Sequence, residues 1–310
     1  MRDYQKLLVV IDPTTDDQAA LARAVELAEH SQAAITVFLS IFDLSYEMTS
    51  ILSSQEREAM RQGVIDQRTA WLQDIIAPYQ SRGLAIETKV IWHNRPFESI
   101  IQYAIEGDYH LIVKATHEHD KLKAVIFTPT DWHLLRKAPM PVLMVKEHDW
   151  SKNGKILCAV NVATEDADHD SLNEKIIKHG LDLAKKFSAE LHLVNGYPGT
   201  PVNLAIELPD FDANNFTASV KMQHEQRVDY LAESFGIDPA NCHVKEGLPE
   251  DVIPELAAEL DAELVILGTI GRTALSAALI GNTAEHVIDS LNCDLLAIKP
   301  AGYKSPLETE

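Results

Sequence analysis

Apolar runs and helical patterns alternate along the chain, and the alternation restarts halfway. Lys6-Leu-Leu-Val-Val-Ile-Asp12 is apolar at successive positions, as in a strand buried on both faces. Thr15-Asp-Asp-Gln18 reads as a capping box, which predicts a helix to about His30 with Leu21, Ala24, Leu27 and Ala28 on its apolar face. Further strands are expected at residues 33–40, 86–92, 110–114 and 141–145. Between them, Ser53-Ser-Gln-Glu56 opens a long helix to about Gln80, and Pro96 starts a short one through Ile105. Thr128-Pro-Thr-Asp131 opens another, with a threonine cap, proline at the first helical position and aspartate in the first turn.

Residues 155–161 then repeat the first strand. Ser171-Leu-Asn-Glu174 is expected to cap a helix to about Phe187. Strands at 190–194, 242–246, 264–267 and 294–298 alternate with helices at 213–235 and 250–260 and a helical pattern from Ala284. Shifting residues 94–147 by 153 positions onto 247–300 needs no gap and places Pro96 on Pro249, Asp108 on Asp261, Thr116 on Thr269 and Lys146 on Lys299. Long strand–helix connections imply parallel sheets. The expectation is an α/β protein of two tandem doubly wound, Rossmann-like domains, residues 1–150 and 151–310, each with a five-stranded parallel sheet. The polar segment 148–154 reads as the linker.

The second half carries Gly268-Thr-Ile-Gly271-Arg, then Gly281-Asn-Thr283, between an apolar run and a helical pattern. A strand, a loop with Gly-x2-Gly-x9-Gly spacing and a helix start together suit a phosphate. Glycine lets the backbone approach the anion, and the helix start offers free N–H groups and a positive dipole end. The first half has lost this pattern. Gly268 falls on Ala115, Gly271 on Glu118 and Gly281 on Thr128; Pro129 removes an N–H donor, and Asp131 already supplies a negative group to the helix start. A plainer reading of the second half also stands, in which Asn282 with Glu285 caps a helix and the glycines only permit the turn.

The repeat and this loop, with strings such as Trp92-His-Asn-Arg-Pro-Phe, Val125-Ile-Phe-Thr-Pro-Thr-Asp-Trp-His and Gly281-Asn-Thr-Ala-Glu285, resemble the universal stress protein family in its tandem form, over nearly the whole chain. The resemblance implies cytoplasmic proteins that raise survival under stress, including DNA-damaging agents, some of which bind ATP without rapid turnover. It implies two domains paired through their last strands, here 141–145 and 294–298, as an internal pseudo-dimer. It places Asp12 near a nucleotide base and ribose; the second half has Asn161 there, and Asn282 where the family usually has Ser or Thr. The candidate ligand residues are Asn161, Gly268, Thr269, Gly271, Arg272, Gly281, Asn282 and Thr283, with ATP or AMP as the candidate ligand. The working function is stress protection by ligand binding rather than catalysis. A slow ATPase, a nucleotide-regulated switch and a ligand-free interaction scaffold are the alternatives.

Composition narrows the partners. The chain has 310 residues, 46% hydrophobic and 24% charged, which is ordinary for a soluble globular protein. Acidic residues number 47 against 27 basic, a net charge of −20, which disfavours direct binding to nucleic acid or anionic lipid. No stretch approaches a membrane span, the N-terminus has no signal-peptide layout, and the cytoplasm is expected. Cys158, Cys242 and Cys293 are widely spaced and read as reduced thiols.

Two further stretches carry candidate chemistry. Between the second strand and long helix of the second half, a proline-interrupted segment carries Val202, Leu204, Ile206, Leu208 and Phe211. It either covers the domain's own core or holds an apolar, lipid-like ligand. In the first half, His117-Glu-His119-Asp120 replaces the glycine loop. His117 and His119 are candidate zinc ligands, with Asp120, His93 or His133 as the third, against the alternative of a solvated polar loop. The tryptophans Trp71, Trp92, Trp132 and Trp150 all fall in the first half and are expected as core or interface anchors. No Gly-x-Ser-x-Gly elbow and no Gly-x4-Gly-Lys-[Ser/Thr] loop is present.

Overall fold

In a computed structural model the described residues are 4–48, 52–118, 125–146, 150–163, 167–200, 212–269 and 282–308. The chain divides into two compact units, Met1–Glu147 with Lys304–Glu310, and His148–Tyr303. The first contains β1 (Lys6–Val10), α1 (Ala19–Ser31), β2 (Ala34–Ile41), α2 (Leu44–Met48), α3 (Ser54–Gln80), β3 (Ile86–Trp92), α4 (Pro96–Glu106), β4 (Leu111–Ala115), β5 (His117–Glu118), β6 (Val125–Ile126), α5 (Pro129–Lys137) and β7 (Val142–Val145). The second contains β8 (Lys155–Ala159), α6 (Ala167–Phe187), β9 (Glu190–Tyr197), α7 (Ala213–Phe235), β10 (Cys242–Glu246), α8 (Pro249–Leu260), β11 (Ala262–Gly268), α9 (Asn282–Ser290) and β12 (Asp294–Ile298).

Each unit builds a parallel sheet, in the order β7-β4-β1-β2-β3 in the first and β10-β9-β8-β11-β12 in the second. The continuous apolar runs form the middle of each sheet because helices cover both faces. Leu7, Leu8 and Val9 of β1, and Leu264, Val265 and Ile266 of β11, are fully buried. In both units the chain starts on the central strand, winds outward to one side, then crosses back. The switch point lies between β1 and β4 in the first unit and between β8 and β11 in the second. Open α/β sheets bind ligands at the carboxyl ends of strands beside such a point.

Several helix starts are as the sequence predicts. Ser53 and Glu56 form a reciprocal capping box on α3, and Thr128 and Asp131 form one on α5 with Pro129 at its first position. Two starts differ. α1 begins at Ala19, so Gln18 stands at the N-cap position rather than in the first turn, and its side chain makes no capping hydrogen bond. Its amide instead clasps the strand-end loop: Oε1 accepts from Asp12 N at 3.1 Å, and Nε2 donates to Asp12 O at 2.7 Å and Thr15 O at 2.5 Å. α6 begins at Ala167, so Ser171 lies within the helix rather than at its cap. The sequence pattern also missed the β5–β6 hairpin, antiparallel with His117 opposite Ile126. Trp150 belongs with the second unit: its indole donates to Asp294 Oδ2 at 3.0 Å and its ring meets Phe187 edge-on. No described helix is long and apolar enough to cross a membrane.

Candidate functional site

Of the candidate residues of the second unit, Asn161 follows the carboxyl end of β8, Gly268 and Thr269 lie at that of β11 across the switch point, and Asn282 and Thr283 open α9. Asn173, one turn and more into α6, holds Asn161 in place: Oδ1 accepts from Asn161 N at 3.0 Å and Nδ2 donates to Asn161 O at 2.8 Å. The Asn161 side chain turns its own Oδ1 to Ala163 N at 3.1 Å. Gly268 ends β11, and a Cβ there would sit 2.5 Å from Leu172 Cδ2, so the strand end and α6 are as close as glycine allows. Thr269 is fully buried and donates its N–H to Ile298 O at 3.2 Å.

Beside Thr269 stands a residue the site reading did not single out. Lys299, just past β12, is 3% exposed, and its Nζ donates to Thr269 Oγ1 at 2.5 Å. Burial pushes its pKa down to about 7. Lys175 of α6 donates Nζ to Lys299 O at 2.8 Å and is itself held below the usual lysine range by burial. The internal repeat placed Lys146 on Lys299, so a polar residue closing an apolar strand in both halves was the available signal.

At the neighbouring strand end, Asn195 of β9 donates to Val160 O at 2.9 Å, and its Oδ1 lies 2.6 Å from His224 Nδ1 of α7. Because the Asn195 oxygen is the acceptor, His224 carries its proton on Nδ1 when neutral. Burial, then Arg227, lowers the His224 pKa. Arg227 donates to Val162 O at 2.6 Å. None of these residues stands out in the sequence, since each is a single polar position in an otherwise amphipathic element.

α9 starts at Asn282, two residues before the helical pattern expected from Ala284. Asn282 and Thr283 are placed only as helical backbone, and Gly271, Arg272 and Gly281 lie outside the described residues. So do Val202, Leu204, Ile206, Leu208 and Phe211.

The first unit fills the equivalent position with its own groups. Asp131, fully buried, accepts from Thr128 N at 2.7 Å and Thr128 Oγ1 at 2.8 Å through Oδ2, and meets Lys114 Nζ at 2.6 Å through Oδ1. A carboxylate thus sits on the helix start with a cation against it, so the positive end of the helix is already matched by a negative group. By the shift of 153, Asp131 corresponds to Ala284 and Lys114 to Leu267, so the second unit has neither member of the pair.

The zinc reading finds no support among the described residues. His119 and Asp120 lie outside the described residues, and His117 is placed only as backbone of β5. The other candidate ligands have different neighbours. His93 Nδ1 is 3.0 Å from Arg95 O, and the His133 ring stacks on Phe97 with centroids 4.0 Å apart. Among the described residues no group of three or more His, Cys, Asp or Glu is placed to hold a metal ion.

Comparison with known proteins places this geometry. The sequence profile described as the universal stress protein family matches twice, over residues 3–146 and 154–299. The chain is 54% identical over 311 residues to universal stress protein E of Escherichia coli strain K12, covering 100% of this chain and 98% of that one. It is 45% identical over 303 residues to the universal stress protein E homolog of Haemophilus influenzae, covering 96% and 98%. Among solved structures it is similar to a functionally unknown protein from Pseudomonas aeruginosa PAO1, with a TM-score of 0.74 at 31% identity over 96% of this chain and 93% of that one.

Proposed function

The chain belongs to the universal stress protein family, and we propose that it acts in the stress response by binding a phosphate-bearing nucleotide, ATP or AMP, in its second domain. The observation that carries this reading is the contrast between the two helix starts. In the first domain Asp131 and Lys114 occupy the position themselves, whereas the second has Ala284 and Leu267 in their places and keeps the three glycines. Gly268, Thr269 and Asn161 supply the strand-end wall, and the start of α9 supplies N–H groups. Binding rather than turnover is the proposed mode. The described part of the site is built from backbone groups, side-chain amides and a buried lysine, which suits holding a ligand.

Calorimetry with ATP and AMP tests the reading directly. Wild type is expected to bind at millimolar ligand or tighter, and Gly268→Val, which drives a side chain into Leu172, is expected to weaken binding at least tenfold. No heat and no displacement of a fluorescent nucleotide from wild type would end it. Phosphate release that tracks bound ATP and disappears in Gly281→Val would instead assign a slow ATPase. The finer expectations belong to the same proposal: a cytoplasmic protein that promotes survival of DNA-damaging agents without touching nucleic acid, in keeping with its net charge of −20. Unchanged survival of cells lacking the protein after such treatment would remove that part.

A further inference from the structure

Away from the strand ends, two histidines of the second domain face each other across neighbouring strands. His192 Nδ1 of β9 lies 3.1 Å from His243 Nε2 of β10, with the rings 24° from parallel. His192 is 5% exposed, and His243 lines a cleft of about 430 Å³ that Glu225 and Asp229 of α7 and Lys245 of β10 also line. Two facing ring nitrogens at this distance hold one proton between them. Glu190 Oε2 lies 3.5 Å from His192 Nε2, a buried atom without a hydrogen-bond partner among the described residues. A carboxylate there favours the tautomer with N–H on Nε2. His192 Nδ1 is then the acceptor and His243 Nε2–H the donor, leaving His243 Nδ1 as the basic nitrogen of the neutral pair.

We propose that His192 and His243 form an acid-operated latch between β9 and β10, which stays closed through uptake of one proton and opens on the second. The first proton goes to His243 Nδ1. His243 then donates to His192 as an imidazolium, and Glu190 faces the far side of His192 with a negative charge. A second proton can only enter at His192 Nδ1, where two N–H groups would then point at each other. The surroundings set what opening releases. Lys155 of β8 donates Nζ to Leu260 O, and Lys245 of β10 pairs with Glu259 at 2.5 Å. The two lysines fasten the last turn of α8 to the sheet on either side of the pair. A doubly charged pair repels both and attracts Glu190 and Glu259. Burial lowers the pKa of both imidazoles; Glu190 opposes this at His192, while His192 and Lys245 add to it at His243. The latch does not depend on what the second domain binds.

Nitrogen-resolved NMR of the histidine rings from pH 8 to pH 4 tests the proposal on the wild-type protein. The expected result is an Nε2–H tautomer for His192 at neutral pH and two separated titration steps, both below the ordinary histidine value of about 6.5. Amide exchange in β10 and the last turn of α8, relative to β8, is expected to hold steady through the first step and to rise at least tenfold through the second. In His192→Phe that rise is expected to disappear. Two rings titrating independently near the ordinary value, an Nδ1–H tautomer at His192, or exchange that follows the first step would each overturn the latch.

Discussion

Replacing Asp131 by alanine should convert the first domain's self-filled helix start into an anion site, at a cost in stability that phosphate partly restores. The Asp131 carboxylate is fully buried and accepts two hydrogen bonds from Thr128 as well as meeting Lys114, whose side chain is 12% exposed. Alanine leaves that ammonium without its counter-charge, beside the positive end of α5. Removing one member of a buried pair costs about 3–5 kcal/mol. At about 2–4 °C per kcal/mol for a domain of this size, the first domain's transition should fall by roughly 6–20 °C. Removing both charges, as in Lys114→Met with Asp131→Leu, should cost far less, because no uncompensated cation remains. Inorganic phosphate at ten times its dissociation constant should return about 1.4 kcal/mol to Asp131→Ala and nothing to wild type. Calorimetric melts in phosphate, matched for ionic strength with chloride, measure all of this. A loss below about 1 kcal/mol, or equal recovery in chloride, would refute the view that Asp131 stands where a phosphate would bind.

Three further outcomes follow from the second domain. Asn173→Leu removes the partner of both backbone polar atoms of Asn161 and should cost about 1–3 kcal/mol for each group left buried, read from urea unfolding. Lys299 has a folded pKa near 7, below its ordinary value, so the unfolded chain binds the extra proton between the two and stability should rise as pH increases from about 7 toward 10. Lys299→Met should flatten that rise, and the difference between wild-type and variant melts isolates it. Grafting the first domain's pair, as Leu267→Lys with Ala284→Asp, should abolish nucleotide binding while leaving the circular dichroism of the fold intact; unimpaired binding by the folded variant would place the phosphate elsewhere.

Most of the fold was legible because a buried parallel strand needs an apolar run and each crossover helix needs one apolar stripe. Residues 86–92, 213–235, 242–246 and 294–298 match their elements for that reason. The two misplaced helix starts share a cause. Thr15-Asp-Asp-Gln18 and Ser171-Leu-Asn-Glu174 both carry residue types that can cap, but Gln18 is spent on a loop and Ser171 falls inside an amphipathic helix that begins earlier. A capping signal is lost where the side chain makes other hydrogen bonds or where the apolar stripe carries the helix past it. The site was legible only in part. Glycine spacing marked the loop, but Asn173 and Lys299 act through partners 12 and 30 residues away, and no local pattern encodes such pairs.

Those long-range pairs show where the two domains stayed alike. Asp12 and Asn161 close the first strand of their domains, and in each the backbone N–H and C=O are both held by a side-chain amide, of Gln18 in one and Asn173 in the other. Each also accepts through its own Oδ1 from a backbone N–H two residues on, at Thr14 and Ala163. The amides come from different distances along the chain, 6 residues in one case and 12 in the other, and from helices that start at different points relative to them. Identical wiring reached by different routes means that the geometry of this strand end matters more than the residues supplying it. The helix start opposite does the reverse: the backbone arrangement recurs while the charges change, from Asp131 and Lys114 to Ala284 and Leu267. A scaffold that holds one wall fixed and varies the charge on the other separates the task of shaping a ligand crevice from that of deciding whether an external anion enters it. On the proposed nucleotide-binding reading only the second task differs between the halves, and a two-residue graft is therefore expected to close the site in the second domain.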